Sequence, residues 1–446
     1  MNDTIRKPHR HFTSFQVIIL GFFSVILLGS LLLMLPFATR DGQGASFSDG
    51  LFTATSAVCV TGLIVHDTAT YWSEFGQAII LALIQIGGMG VVTIAVSIAV
   101  ASGRKIGLMQ RSTMQEAISA HQVGGIVRLT KFILKTSILI ELIGALILSP
   151  VFCRDFGLLK GIWYSVFHSV SAFCNAGFDL IGIREQYSSL TTYVTNPVIN
   201  LTIMILIITG GLGFVTWADI QKNKLHFRKY TMQSKVILTV TSILLILPAV
   251  YFFFCEFTGL SLGERVLSSM FQAVTPRTAG FNTVDLTLIS ETGLFLMIVL
   301  MLIGGSPGST AGGMKTTTIA VLFSSALSVF RKQDSAHFFG RRVPDSTVKN
   351  AATIFLMYVT LFLGGGMIIS YIEEVPLVSA LFETSSAIGT VGLSLGFTPT
   401  LGMVSRIILI LLMFFGRVGG LTLIFAALSE RTSFGSRYPQ EKITVG

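Results

Sequence analysis

The chain has 446 residues, 52% of them hydrophobic and only 12% charged, with a mean hydropathy of +0.75. So little polar surface cannot clothe a water-soluble domain of this size, which excludes an ordinary soluble enzyme. The formal net charge of +9 invites an anionic or nucleic-acid partner, but its distribution along the chain reports membrane topology instead.

In chain order, apolar runs long enough for a helix to cross about 30 Å of hydrocarbon predict crossings at 14–36, 77–100, 131–152, 197–218, 235–255, 291–305 with 317–330, 351–372 and 404–428. The first follows a basic start, as a signal peptide does, but its apolar run is too long for one. Basic residues gather in alternate connections. They are Arg6, Lys7 and Arg10, then Arg104, Lys105, Arg111, Arg128 and Lys131, then Lys222, Lys224, Arg228, Lys229 and Lys235. Arg331, Lys332, Arg341, Arg342 and Lys349 follow, and Arg431, Arg437 and Lys442 end the series. The intervening connections hold only Arg40, Arg154, Lys160, Arg184 and Arg265. Positive charge marks the cytoplasmic side, so a multi-pass protein of the cell membrane with both termini cytoplasmic is expected.

Four short segments repeat one another: Phe52-TATSAVCVTG-Leu63, Phe167-HSVSAFCNAG-Phe178, Phe271-QAVTPRTAG-Phe281 and Phe382-ETSSAIGTVG-Leu393. Each is an amphipathic run ending in Gly and a bulky apolar residue, and about 12 helical residues cover only roughly 18 Å. The glycines at 62, 177, 280 and 392 lie roughly 110 residues apart, the mark of a repeat architecture. A second similarity follows each one: Ile86-GGMGVVT, Thr209-GGLGFVT, Ile303-GGSPGST and Phe415-GRVGGLT. Every repeat therefore reads as crossing, short segment, crossing. Two crossings return the chain to the same side, so the repeats run parallel, whereas an inverted-repeat transporter needs an odd number per half. The expected fold class is an all-α membrane protein of four membrane–pore–membrane repeats around a pseudo-fourfold pore. Its repeats are 1–103, 104–225, 226–335 and 336–446, the last with the C-terminal tail. Backbone that stops inside a membrane must line water or pack within protein, and four such segments meeting on an axis make a pore.

Potassium offers only charge and size for recognition, so selective passage replaces its water shell with rings of backbone carbonyls. Glycine supplies the unusual dihedrals this needs. Thr390-Val391-Gly392-Leu393 nearly repeats the T-V-G-Y core of potassium-channel filters. The matching tetrads are Val60-Thr61-Gly62-Leu63, Asn175-Ala176-Gly177-Phe178 and Thr278-Ala279-Gly280-Phe281. Bound K+ is expected at these residues, with the negative C-terminal ends of the short helices aimed at it.

On these residues the chain resembles the Trk/Ktr/HKT superfamily of potassium transporters over nearly its whole length, and within it the membrane subunits of bacterial Ktr systems. Trk membrane subunits usually carry an extra N-terminal helix pair that is not seen here. The resemblance implies potassium as the transported ion, because HKT relatives that move sodium have Ser where this chain has Gly62. It also implies a homodimer that binds a cytosolic ring of nucleotide-binding regulatory subunits (KtrA-like). The segments 101–131, 221–235 and 331–349 are the expected docking surfaces.

The sixth crossing is interrupted by Gly304, Gly305, Ser306, Pro307, Gly308, Ser309, Thr310, Ala311, Gly312, Gly313, Met314, Lys315 and Thr316, which no continuous helix tolerates. Gly308-STAGGMKT looks like a phosphate-binding loop, but Met314 spoils the spacing and apolar runs flank it. By resemblance, 304–316 is an intramembrane loop that gates ions, with Lys315 adding a charge that disfavours cation passage. Arg417, a charge within the last crossing, is costly unless it faces water or a partner. By resemblance it stands below the filter opposite the loop; the alternatives are a positive barrier or a structural pairing.

Other features carry plainer expectations. Glu141 is expected to be hydrogen-bonded within the bundle, His168 and Glu383 to pack behind the filter, and Arg277 to brace backbone. Cys59, Cys153, Cys174 and Cys255 show no CxxC spacing and no His cluster, so neither zinc nor a disulfide framework is implied. No converging nucleophile or metal set suggests catalysis, and no organic cofactor or nucleic-acid motif is present. The rival reading is a secondary transporter coupled to Na+ or H+, for which Glu141 and Glu383 are the candidate carboxylates. Na+ also enters as a modulator, since some Ktr systems depend on it.

Overall fold

The computed structural model describes residues 13–101, 107–118, 125–224 and 226–420, with Thr422 and Glu441. Arg6, Lys7, Arg10, Arg104, Lys105, Arg431, Arg437 and Lys442 lie outside the described residues. In chain order the helices are α1 (Ser14–Leu33), α2 (Phe47–Val58), α3 (Glu74–Met89), α4 (Val91–Ala101), α5 (Leu108–Ile118), α6 (Ile126–Phe156), α7 (Leu158–Phe173) and α8 (Pro197–Gly211). Then come α9 (Phe214–Asn223), α10 (Met232–Tyr251), α11 (Leu262–Val274), α12 (Glu291–Leu302), α13 (Thr316–Phe330), α14 (Asp345–Glu373), α15 (Leu377–Gly389) and α16 (Met403–Val418). A small hairpin, β1 (His337–Phe338) with β2 (Arg341–Arg342), separates α13 from α14.

Local chemistry sets where these helices begin. The hydroxyls of Ser46, Ser73, Thr231 and Ser290 each accept the N–H three residues on, and Asn196 caps a helix that opens on Pro197. Thr13 and Gln16 cap α1 reciprocally.

Burial runs opposite to that of a soluble protein. The apolar stretches of α1, α6, α10 and α14 are no more than 33% buried, and Phe23, Leu28, Leu146, Leu247, Phe254 and Leu356 stand exposed. Meanwhile Thr53, Ser56, Ser165, Ser169, Ser268, Thr384 and Ser385, all on short helices, are buried. A lipid-facing exterior around a polar interior produces this inversion, because backbone and hydroxyl groups must find partners inside.

Among the described residues four helices are long and apolar enough to cross a membrane, and two further spans form if bent pairs count as one. Here the structure departs from the sequence reading. The crossings expected at 77–100 and 197–218 are each bent by 97°, between α3 and α4 and between α8 and α9. Gly90 and Gly213 make the breaks, with φ of 85° and 90°, in a region that side chains rarely adopt. Gly419, at φ 89°, ends α16 in the same way. A hydropathy window runs smoothly across such a glycine and does not register a change of direction.

The helix contacts close on themselves. α3 packs against α7, α8 against α11, α12 against α15, and α16 against α2. Each inner helix thus touches the short helix that follows in the next part of the chain, and the last touches the first.

Candidate functional site

At the end of each short helix the backbone makes the same turn. Val60, Asn175, Thr278 and Thr390 have φ of 52°, 60°, 66° and 51°, and two residues on Gly62, Gly177, Gly280 and Gly392 have φ of 93°, 70°, 77° and 93°. A left-handed φ on Val or Thr costs of order 1–3 kcal/mol. The same strain at matching positions must therefore be held by the surroundings.

Hydroxyls do part of the holding. Ser56 Oγ accepts from Gly62 N–H and Ser386 Oγ from Gly392 N–H, both at 3.0 Å. Ser171 and Thr275 instead donate to the carbonyls of Phe178 and Phe281. Backbone bonds from Thr61, Ala176 and Val391 to Ser56, Ser171 and Ser386 complete the anchoring at 2.8, 2.8 and 2.7 Å. Leu63, Phe178, Phe281 and Leu393 are at most 1% exposed and pack behind the turns.

The four turns are in mutual contact. A Cβ on Gly62 would lie 2.4 Å from Ala176 O, one on Gly177 2.8 Å from Ala279 O, one on Gly280 2.3 Å from Val391 O, and one on Gly392 2.0 Å from Thr61 O. The glycines therefore follow one another round a closed ring in chain order, and none has room for a side chain. Within 60–62, 175–177, 278–280 and 390–392 no carbonyl accepts a hydrogen bond from the described residues. Buried backbone carbonyls are normally paired. A ring of unpaired ones is chemically a cradle for a dehydrated cation.

The interrupted segment 303–315 packs against the end of this ring nearest the short helices. Gly304 N–H donates to Met314 O at 2.8 Å, which pinches the loop shut at its base. Its tip is bonded on several sides. Ser306 and Thr310 N–H donate to Gly211 O and Gly210 O at 3.0 and 3.2 Å, and Gly313 N–H donates to Gly416 O at 3.1 Å. Gly312 abuts Thr390, whose Oγ1 would sit 2.1 Å from a Cβ there.

Lys315 Nζ donates to the loop's own carbonyls at Ala311 and Gly312, at 2.7 and 3.3 Å, so its charge is spent partly on fixing the loop. Arg417 ties three segments together. Its guanidinium donates to Thr310 O on the loop and to Gly87 O and Gly88 O at the end of α3. Both cations line one cavity of about 280 Å³ with Gly308, Ser309, Ala311 and Gly313.

The other polar residues singled out by the sequence, Glu141, Glu383, His168 and Arg277, find their partners away from the ring glycines. Gln85 Nε2 donates to both oxygens of Glu141 at 3.0 and 3.2 Å. Glu383 accepts from Ser394 Oγ, Leu395 N–H and Thr398 Oγ1. Leu180 N–H donates to His168 Nε2, which leaves Nδ1 as the protonated nitrogen, donating to Tyr164 O at 2.7 Å. Buried Arg277 donates from one terminal nitrogen to Thr241 Oγ1 on α10 at 3.4 Å, while its Nε has no acceptor among the described residues.

Two features escaped the sequence reading. The hydroxyl residues Ser56, Ser171, Thr275 and Ser386 recur just before each ring glycine, a signal the repeat alignment already held. The pairing of Asn175 with Thr310 gave no such signal.

A model of the TrkH family, described as cation transport protein, matches residues 2–434. The potassium/sodium uptake protein NtpJ of Enterococcus hirae is 41% identical, with 99% of each chain covered. The Ktr system potassium uptake protein B of Bacillus subtilis is 39% identical over 98% of this chain and 97% of its own. Among solved structures, the potassium transporter TrkH of Vibrio parahaemolyticus matches with a TM-score of 0.74 and 19% identity, covering 95% of this chain and 86% of its own, a likeness of fold.

Proposed function

This chain belongs to the TrkH family of cation transport proteins, a family of transporters rather than enzymes, and from that membership we propose that it takes up potassium through the glycine ring. One observation carries the reading: Gly62, Gly177, Gly280 and Gly392 close on one another while the adjoining carbonyls stay unpaired. Such oxygens replace the water shell of a potassium ion without a charged side chain. The names of the two relatives, which speak of potassium and potassium/sodium uptake, support the same ion.

In this reading the four repeats, 1–103, 104–225, 226–335 and 336–446, surround a pseudo-fourfold pore, and the tetrads ending in those glycines are its selectivity filter. The loop 304–316 obstructs the path on the cytoplasmic side, with Arg417 and Lys315 supplying positive charge beside it. Both termini face the cytoplasm, following the basic connections. Two copies form a dimer, and a cytosolic nucleotide-binding subunit acts on the loop from outside the chain. The Bacillus relative's name, which places it in a Ktr system, supports such a partner. Sodium enters as a modulating or accompanying ion, in line with the name of the Enterococcus relative.

Cells lacking their own potassium uptake systems provide the test. Expression of the chain with a regulatory subunit should restore growth at low potassium, and Gly62→Ser should erode the preference for potassium over sodium. Absence of potassium uptake in well-expressed wild type would overturn the reading.

A further inference from the structure

We propose that the cleft between the N-terminal ends of α3 and α7 binds the phosphodiester headgroup of an anionic membrane phospholipid. The cleft has a volume of about 930 Å³, and its lining includes Arg40, Glu74, Gln77, Leu159, Lys160 and Trp163. It lies on the side away from the basic connections, where cations are scarce. The connections on that side carry Arg40, Arg154, Lys160, Arg184, Arg265 and Arg277, and two of these, Arg40 and Lys160, line this cleft.

The electrostatics favour an anion. Among the residues that line it, two cations, Arg40 and Lys160, stand against one carboxylate, Glu74. The helix ends contribute unequally. At the start of α3 the Ser73 hydroxyl takes Gly76 N–H and Glu74 offsets the dipole. At the start of α7 the cap is Gly157, which offers no side-chain acceptor, and Lys160 stands in the first turn. A helix start without a side-chain cap favours an anion, and Lys160 in its first turn lines the cleft.

The scaffold is built rather than incidental. Trp163 Nε1 donates to Gln77 Oε1 at 3.0 Å, joining the two helices across the cleft. Gln77 Nε2 and Arg40 Nε both donate to Trp72 O, at 3.2 and 3.3 Å. With Nε so anchored, the terminal nitrogens of Arg40 have no acceptor among the described residues and stay available for a two-pronged grip on phosphate.

The surroundings select a lipid over free phosphate. Phe37, Leu158 and Leu159 are 77%, 69% and 84% exposed beside the cleft. Trp163 gives the apolar body and polar edge typical of the membrane interface. An acyl chain covers such residues, and inorganic phosphate does not.

Count the lipids that remain bound after reconstitution into nanodiscs of equal phosphatidylglycerol and phosphatidylcholine, using mass spectrometry. Wild type should retain phosphatidylglycerol in clear excess over the bulk ratio. Lys160→Gln should cut the excess about fivefold, and the pair Arg40→Gln with Lys160→Gln should bring it near the bulk ratio. Arg265→Gln, a charge removed elsewhere on the same side, should leave it unchanged. Millimolar inorganic phosphate should not displace the lipid. Undiminished enrichment in the double variant, or displacement by phosphate, would overturn the proposal. If the double variant does not fold, Lys160→Glu reads the same charge, since Lys160 makes no bond to the described residues. The readout is a lipid count, so it stands or falls apart from the potassium reading.

Discussion

The Thr310 hydroxyl shares its one proton between Asn175 Oδ1 at 3.1 Å and Phe173 O at 3.0 Å, joining the interrupted segment to the ring across 135 positions of sequence. Asn175 Nδ2 faces Arg277 O and Thr278 Oγ1, both at 3.4 Å. This orientation of the amide sets its nitrogen toward the Arg277 carbonyl; the flipped one would set its oxygen against that carbonyl. Asn175 therefore touches the loop, its own turn and the next turn of the ring at once. Gly210 makes room for the contact, because a Cβ there would lie 2.7 Å from both Asn175 Oδ1 and Thr310 Oγ1.

If the loop is the gate, this contact helps hold it shut. Thr310→Val keeps the shape and removes the hydroxyl, a bond worth about 1 kcal/mol. Potassium flux into proteoliposomes without the regulatory subunit should rise about fivefold, since 1.4 kcal/mol corresponds to about tenfold in an equilibrium. An unchanged rate in folded protein would show that the loop is held by its backbone bonds alone.

Arg417 holds the same loop from the other side, through Thr310 O, Gly87 O and Gly88 O. A guanidinium reaches three acceptors in fixed directions, whereas an ammonium is a point charge on a flexible stem. Arg417→Ala should raise basal flux about tenfold or more, as bonds to charged groups are worth roughly 1.5–3 kcal/mol. Arg417→Lys separates the two roles. A pure charge barrier would keep flux low in the Lys variant, while a mechanical tie would release it. The bonds seen here favour release.

How far the sequence reveals this site depends on what physics leaves a local trace. The ring glycines were legible because each must accept both a positive φ and a neighbour's carbonyl, so no other residue fits and the period shows. The loop was legible because glycine, proline and lysine cannot continue an apolar helix. Ring order, by contrast, follows from packing such as that of α16 on α2, which joins chain ends and writes nothing into adjacent residues. The bends at Gly90 and Gly213 hid inside unbroken apolar runs. Arg277 reads as a brace for backbone, yet it donates to the Thr241 hydroxyl on α10, 36 positions away, a contact that leaves no local trace.

Two glycines with nearly equal φ isolate crowding from backbone strain. Gly392 has φ 93° and Gly396 has φ 96°, but a Cβ on Gly392 would meet Thr61 O at 2.0 Å, whereas one on Gly396 has nothing within 4 Å. Gly396→Ala should cost about 1–2 kcal/mol of backbone strain and leave flux nearly unchanged. Gly392→Ala must move the ring itself and should abolish selective uptake. Thermal denaturation alongside isotope flux checks both. Equal loss of flux in the two variants would mean that strain alone, and not contact around the ring, makes glycine necessary.

The rival mechanism, coupling to Na+ or H+, rests on intramembrane carboxylates, and Glu141 is where it is most exposed to test. Its two oxygens are held by one donor group, Gln85 Nε2, at 3.0 and 3.2 Å, and Ser169 Oγ donates to its backbone carbonyl rather than to the carboxylate. No second acid joins it, and no group of three metal-ligating side chains occurs among the described residues. A coupling carboxylate must gain and lose its ion in each cycle, so its replacement by an amide should halt accumulation against a gradient. A merely structural carboxylate should tolerate Glu141→Gln, because the new amide oxygen still accepts from Gln85. The bonding favours the structural role, so Glu141→Gln should retain uptake within about twofold, with a loss of stability near 1 kcal/mol for the weakened pair. Uptake of labelled potassium with and without a sodium or proton gradient decides between them: loss of gradient-driven accumulation, with downhill flux preserved, would establish Glu141 as the coupling site.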